Sequence, residues 1–99
     1  MARELVISDE AESDLDDIWD YIAKDSPLKA DRFTDQLYRK CIDIANLEGI
    51  GRRRDELSEG LLSIPHKKFV IFFEREKKVV NIVRVLRGSR DLDQIFEEE

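Results

Sequence analysis

The pair Ser26-Pro27 interrupts the most regular part of the sequence and settles what can lie on either side of it. Proline lacks a backbone donor and clashes with the preceding turn, so no helix runs through it. At the first helical position it does no harm, and a serine just before it is a natural cap. Upstream, Ala11, Leu15, Ile18 and Ile22 recur at spacings of three and four, which predicts one apolar stripe on a helix running to about Lys24. Ser8 caps that helix, Asp9, Glu10 and Glu12 place negative charge at its first turn, and Asp14, Asp16, Asp17 and Asp20 mostly occupy the rest of its surface. Downstream, Ala30, Phe33, Leu37, Cys41, Ile44 and Ala45 repeat in the same way, and the glycines of "EGIG" (48–51) close this second helix. So short a connection makes the two helices pack antiparallel as a hairpin.

A hairpin with one apolar stripe per helix needs a surface to cover, and the remaining sequence supplies strands. Arg3 to Ile7 reads as a short strand leading into the first helix. After the polar linker "RRRDELSEG" come "LLSI", ended by Pro65, then "KFVIFFER" and "KVVNIVRVLR", all rich in β-branched and aromatic residues. Gly88 ends the last strand, and "RDLDQIF" (90–96) reads as a short helix before an "EEE" tail. The order β-α-α-β-β-β predicts an α+β fold in which the helix hairpin packs on one face of a small, mainly antiparallel sheet. Residues 1–99 read as one domain.

Charge narrows the partners. The chain carries a formal charge of −6, yet residues 1–48 hold 6 Lys/Arg against 13 Asp/Glu while residues 66–90 hold 8 Lys/Arg against 2 Glu. An acidic chain is a poor general binder of nucleic acid, so no direct, specific nucleic-acid binding is expected and the basic stretch is read as meeting something specific. The apolar runs 69–73 and 79–86 fall far short of the roughly 20 residues that cross a bilayer, and no signal-like apolar segment opens the chain. With one cysteine and no internal disulfide to form, a cytoplasmic setting is expected. One Cys and one His make no metal site, no Gly-rich phosphate loop follows a strand, and no cofactor is implied.

Four strings stand in one order along the chain: "DLDDIWDYIA" (14–23), "GRRRDEL" (51–57), "LLSIP" with "FVIFF" (61–73) and "RVLRGSRDL" (84–92). In that order and spacing the sequence resembles the ParE/RelE superfamily of type II toxin–antitoxin systems, and within it the ParE branch. The resemblance implies a bacterial toxin that arrests growth by binding and poisoning DNA gyrase, associated with plasmid stabilisation and neutralised by a cognate antitoxin. The alternatives it leaves are a RelE-like ribosome-dependent mRNA endoribonuclease and an inactive relative that only binds antitoxin.

A ribonuclease needs a base for the 2′-hydroxyl, an acid for the leaving oxygen and positive charge over the phosphate. The candidates for those roles are Lys68, Arg90 and His66, with His66 otherwise a surface residue of the turn after Pro65. Phe96 stands about where the RelE branch has tyrosine, and phenylalanine moves no proton. For a binding toxin, Lys67, Lys68, Arg84, Arg87 and Arg90 are the candidates for contact with the target or another partner, since arginine grips carboxylates bidentately. Strand alternation sets Arg84 and Leu86 on one face and Val85 and Arg87 on the other. Arg84 has a second reading, as the partner of Asp55 or Glu56 in the linker. The arginines of "GRRRDEL" read as ties between the helix hairpin and the sheet, or as partner contacts. For the antitoxin, an exposed groove of Trp19 with Phe33, Leu37 and Tyr38 is expected, unless Trp19 belongs to the core. Cys41 reads as inert core.

Overall fold

The computed structural model describes residues 3–88 and Phe96. A strand β1 (Glu4–Ile7) leads into helix α1 (Asp9–Ala23), a second helix α2 (Pro27–Asn46) follows, and four strands complete the described chain: β2 (Arg52–Arg53), β3 (Leu62–His66), β4 (Phe69–Arg75) and β5 (Val79–Arg87). The sheet order is β1-β5-β4-β3-β2. β1 runs parallel to β5, pairing Glu4 with Val79, and the other neighbours are antiparallel. This is the expected α+β fold. It gains β2, two residues of the sequence taken as linker.

Both helix starts form as the caps predict. The Ser8 Oγ accepts from Ala11 N at 3.0 Å, the Ser26 Oγ accepts from Lys29 N at 3.2 Å, and Pro27 occupies the first turn of α2. α2 ends sooner than the glycines implied, with Leu47 as its cap. Gly51 has a different task. Its φ of +104° suits glycine, and a Cβ there would lie 2.6 Å from Cζ of the Phe73 ring.

The sheet is buried on both faces. On the helix side, Ala11, Leu15 and Ile18 of α1 and Leu37, Cys41 and Ile44 of α2 pack on Ile71, Phe73, Val80, Ile82 and Val85. On the far side, Phe72 and Leu86 are covered by Leu61, just before β3, and by Phe96, whose ring stands edge-on to Phe72 with centroids 5.0 Å apart. The adjacent residues Phe72 and Phe73 are thus both fully buried, one per face, and each phenylalanine is worth about 3–5 kcal/mol against truncation. The expectation of one covered face was too small, because a second cover comes from Leu61, Phe96 and, in the linker, Leu57. Of the expected C-terminal helix, Phe96 alone lies among the described residues, in helical conformation.

The linker arginines serve this second core. Arg53 pairs with Asp55 and Arg54 with Glu56, and Arg54 also reaches Ser63 and lies 5.7 Å from the centre of the Phe72 ring. They brace the linker on the face away from the helices and do not tie the hairpin to the sheet. No helix among the described residues is long and apolar enough to cross a membrane.

Candidate functional site

α1 lies along the edge of β5, and the site grows out of how that edge is closed. β1 ends at Ile7, opposite Ile82, while β5 continues to Arg87. Two side chains and one amide of the chain entering α1 then stand in for the missing strand. Ser8 N donates to Ile82 O at 3.0 Å, Ser8 Oγ donates to Val83 O at 2.9 Å, and the Asp14 carboxylate accepts from Val85 N at 2.9 Å. Asp14 also receives both prongs of Arg84, Nε at 2.8 Å and Nη2 at 2.9 Å. A bulge accompanies this arrangement: Phe72 opposes Arg84 and Phe73 opposes Ile82, so Val83 is an extra residue in β5.

Arg84 is therefore a fastening of α1 to β5. Its backbone pairs with Phe72 next to the bulge, and its side chain reaches Asp14 on α1. The expected partners Asp55 and Glu56 are engaged with Arg53 and Arg54. Asp14, assigned by periodicity to the solvated surface, is buried; its carboxylate follows the hydrogen-bond donors of β5 inward.

Beyond this fastening a trough opens between α1 and the far end of the β4–β5 pair. One hollow of about 170 Å³ is walled by Asp17, Ile18 and Tyr21 and floored by Phe69, Leu86 and Arg87. A second, of about 270 Å³, shares Tyr21, Phe69 and Arg87 and adds Phe33, Lys67 and Lys68. Lys67 and Lys68 form the two-residue turn between the paired residues His66 and Phe69, with Lys67 at φ +56°, and Arg87 pairs across the sheet with Phe69. Three cations thereby line one hollow with the rings of Phe33 and Phe69, whose centroids are 5.6 Å apart. None of them forms an ion pair among the described residues.

The trough mixes two expected sets. Lys67, Lys68 and Arg87 come together as expected, but joined by Phe33 from the groove set. Arg90 lies outside the described residues. The rest of the groove set does not assemble. Leu37 is fully buried beneath the hairpin and presents nothing to a partner. Trp19 is half-buried, its Nε1 donating to Asp31 Oδ1 at 2.8 Å, which links the two helices. Tyr38 donates to Glu12 Oε2 at 2.9 Å, and burial foremost, with that bond to Glu12 adding, pushes its hydroxyl up to about 12. Tyr21, 63% exposed and shared by both hollows, was missed. The signal was an aromatic residue in the last turn of α1, three positions past Ile18.

His66 lines neither hollow. Its Nε2 sits 3.2 Å from Gln36 Oε1 and its ring centre 5.7 Å from that of Phe33. Burial, then Lys67 and Lys40, hold its imidazole below the ordinary value of 6.5. The folded chain consequently binds a proton at His66 less readily than the unfolded chain. The stability tied to it is present above pH 6.5 and is lost as pH falls below that value. Glu48, Asp55 and Glu56 are held below their ordinary range by hydrogen bonds from Arg3, from the Gly60 amide and from Arg54 respectively. Their stabilisation is lost only at lower pH, under about 4.5. The melting temperature should drop between pH 7.5 and 5.5, and His66→Gln should flatten that drop; an unchanged slope in the variant would show that other groups carry it.

The family model described as the ParE toxin of type II toxin–antitoxin system, parDE, matches residues 5–92. Among solved structures, a chain of the chromosomal ParDE TA system from P. aeruginosa superposes with a TM-score of 0.76 at 23% identity, over 87% of this chain and 96% of that one. That likeness carries the fold. No curated protein matches the sequence significantly. The family match takes in all but the first residue of β1, the hairpin, the other strands and every residue of the trough, and on that ground the chain belongs to the ParE toxin family of type II toxin–antitoxin systems.

Proposed function

We propose that this chain is a growth-arresting toxin that acts in the cytoplasm by binding DNA gyrase, and that a cognate antitoxin neutralises it. The observation that carries the reading is the trough: an apolar lining of Phe33 and Phe69, an exposed Tyr21 and three cations without ion-pair partners among the described residues. Aromatic anchors beside positive charge are what a protein-binding surface offers. The antitoxin follows from family membership and from the ParDE pair to which the superposed chain belongs. Ribonuclease chemistry would draw on His66, Lys68 and Arg90. His66 is engaged with Gln36 and Phe33 and lines neither hollow, whereas Lys68 lines the second.

A supercoiling assay with purified chain and gyrase tests this. The expected result is loss of supercoiling together with accumulation of cleaved DNA, both reversed by the antitoxin encoded beside the gene. Untouched gyrase at large molar excess, with growth arrest and cleaved mRNA in cells, would overturn the reading in favour of the ribonuclease.

A further inference from the structure

The trough has an order of charge along it. A third hollow continues it toward the start of α1, sharing Asp14 and Asp17 with the first and adding Asp9 and Glu10. From Glu10 to Tyr21 is about 17 Å along the helix axis. Over that length the lining passes from carboxylates (Asp9, Glu10, Asp17), through an apolar middle (Ile18, Tyr21, Phe69), to cations (Lys67, Lys68, Arg87). The segment from Glu4 to Ala23 contains no Lys or Arg; Arg84, which also lines the acidic hollow, is held by Asp14 and leaves Asp9, Glu10 and Asp17 as the carboxylates of that end.

The backbone of β5 narrows the form of what docks there. The outward carbonyl of Val83 and amide of Val85 are already taken by Ser8 and Asp14. An added strand would find those ladder positions filled, so recognition runs through side chains, as it does when an amphipathic helix lies in a groove. About 12 helical residues span the distance.

We infer that the trough takes an amphipathic helix of a partner protein, antiparallel to α1, with acidic residues at its N-terminal end over Lys67, Lys68 and Arg87, an apolar stripe on Tyr21 and Phe69, and basic residues at its C-terminal end over Asp17 and Glu10. The direction follows from two causes that agree. The charge order of the trough demands acid at one end and base at the other, and a helix is itself more stable with acid at its N-terminus and base at its C-terminus. Charge order then works as a filter on partners, since a helix of the same composition with its ends exchanged sets like charges against each other at both. This deepens the proposed function and rests on it only in treating the trough as a partner surface.

Three capped, dye-labelled 16-residue peptides of one composition test it by fluorescence anisotropy against the full chain at low salt. The first has four Glu, a Leu/Ile stripe and four Lys in that order; the second reverses the ends; the third interleaves the charges. The first should bind about tenfold or more tighter than the others, an advantage that shrinks in 0.5 M NaCl. Tyr21→Ala should weaken all three. A chain carrying Lys67→Glu, Lys68→Glu, Glu10→Lys and Asp17→Lys, all at exposed positions, should switch its preference to the second peptide. Equal affinities, no binding of the first peptide at the highest concentration, or a charge-exchanged chain that still prefers it would each overturn the inference. Neither gyrase nor a natural antitoxin takes part, so a failed supercoiling assay leaves this ranking intact and a failed ranking leaves that assay intact.

Discussion

Asp14→Ala should cost the fold about 3 to 5 kcal/mol, out of the roughly 5 to 15 kcal/mol that hold a domain of this size. Three hydrogen bonds go at once, two of them charge-assisted bonds from Arg84 and the third from the Val85 amide. Val85 is 2% exposed, so its N–H is left in a place that water does not reach. Urea unfolding should report the loss as a lower midpoint with an unchanged slope, and the melting temperature should fall by about 12 °C or more. Asp14→Asn, which keeps an acceptor for Val85 but not the charge, should fall between. The pair Asp14→Leu with Arg84→Met should recover part of the loss, since an apolar pair of similar size needs no desolvated charge. A single Asp14→Ala variant within about 1 kcal/mol of the parent would show that the fastening is ornamental. The same fastening sets α1 against β5, so its weakening should also loosen the trough between them.

Gly51→Ala should be nearly as damaging, for steric reasons. The new Cβ would meet Phe73 Cζ at 2.6 Å and Cε1 at 3.3 Å, and the ring is fully buried with no room to retreat. The φ of +104° adds strain of its own. Together the two should cost about 2 to 5 kcal/mol. Gly49→Ala is the control: its φ is +72° and nothing lies within 4 Å of its Cβ, so only the conformational cost of about 1 kcal/mol remains. Gly51→Ala combined with Phe73→Leu should remove the clash and keep the strain. Equal stabilities for the two single glycine variants would show that Phe73 yields after all.

The parts of this fold that the sequence announces are those set by local rules. Ser8, Ser26 and Pro27 mark the helix starts, and the stripes from Ala11 to Ile22 and from Ala30 to Ala45 are the faces that lie on the sheet. What the sequence hides depends on distant neighbours. Asp14 looks solvated because helical periodicity places it off the stripe, and only the position of β5, some 70 residues later, gives its carboxylate donors. Leu37 and Tyr21 exchange roles for the same reason. Leu37 lies on the buried stripe, yet pairing it with Trp19 and Tyr38 made it look like groove, whereas Tyr21 faces a hollow built by a turn in another part of the chain. Phe72 and Phe73 read as one apolar run, but burying both requires a second cover from Leu61 and Phe96. Lys67, Lys68 and Arg87 were legible as a group because hairpin pairing is itself local.

The parallel pairing of β1 with β5 bears on when the molecule can exist during synthesis. Glu4 waits for Val79, 75 residues further along the chain. At a synthesis rate of about 5 to 20 residues per second, the first strand spends about 4 to 15 s without its neighbour. The hairpin meanwhile keeps an uncovered apolar stripe, because its floor is made last. The Asp14–Arg84 fastening and the basic end of the trough are likewise assembled only after β5 has left the ribosome. A nascent chain thus has no working surface, and a partner that recognises the trough meets only finished molecules.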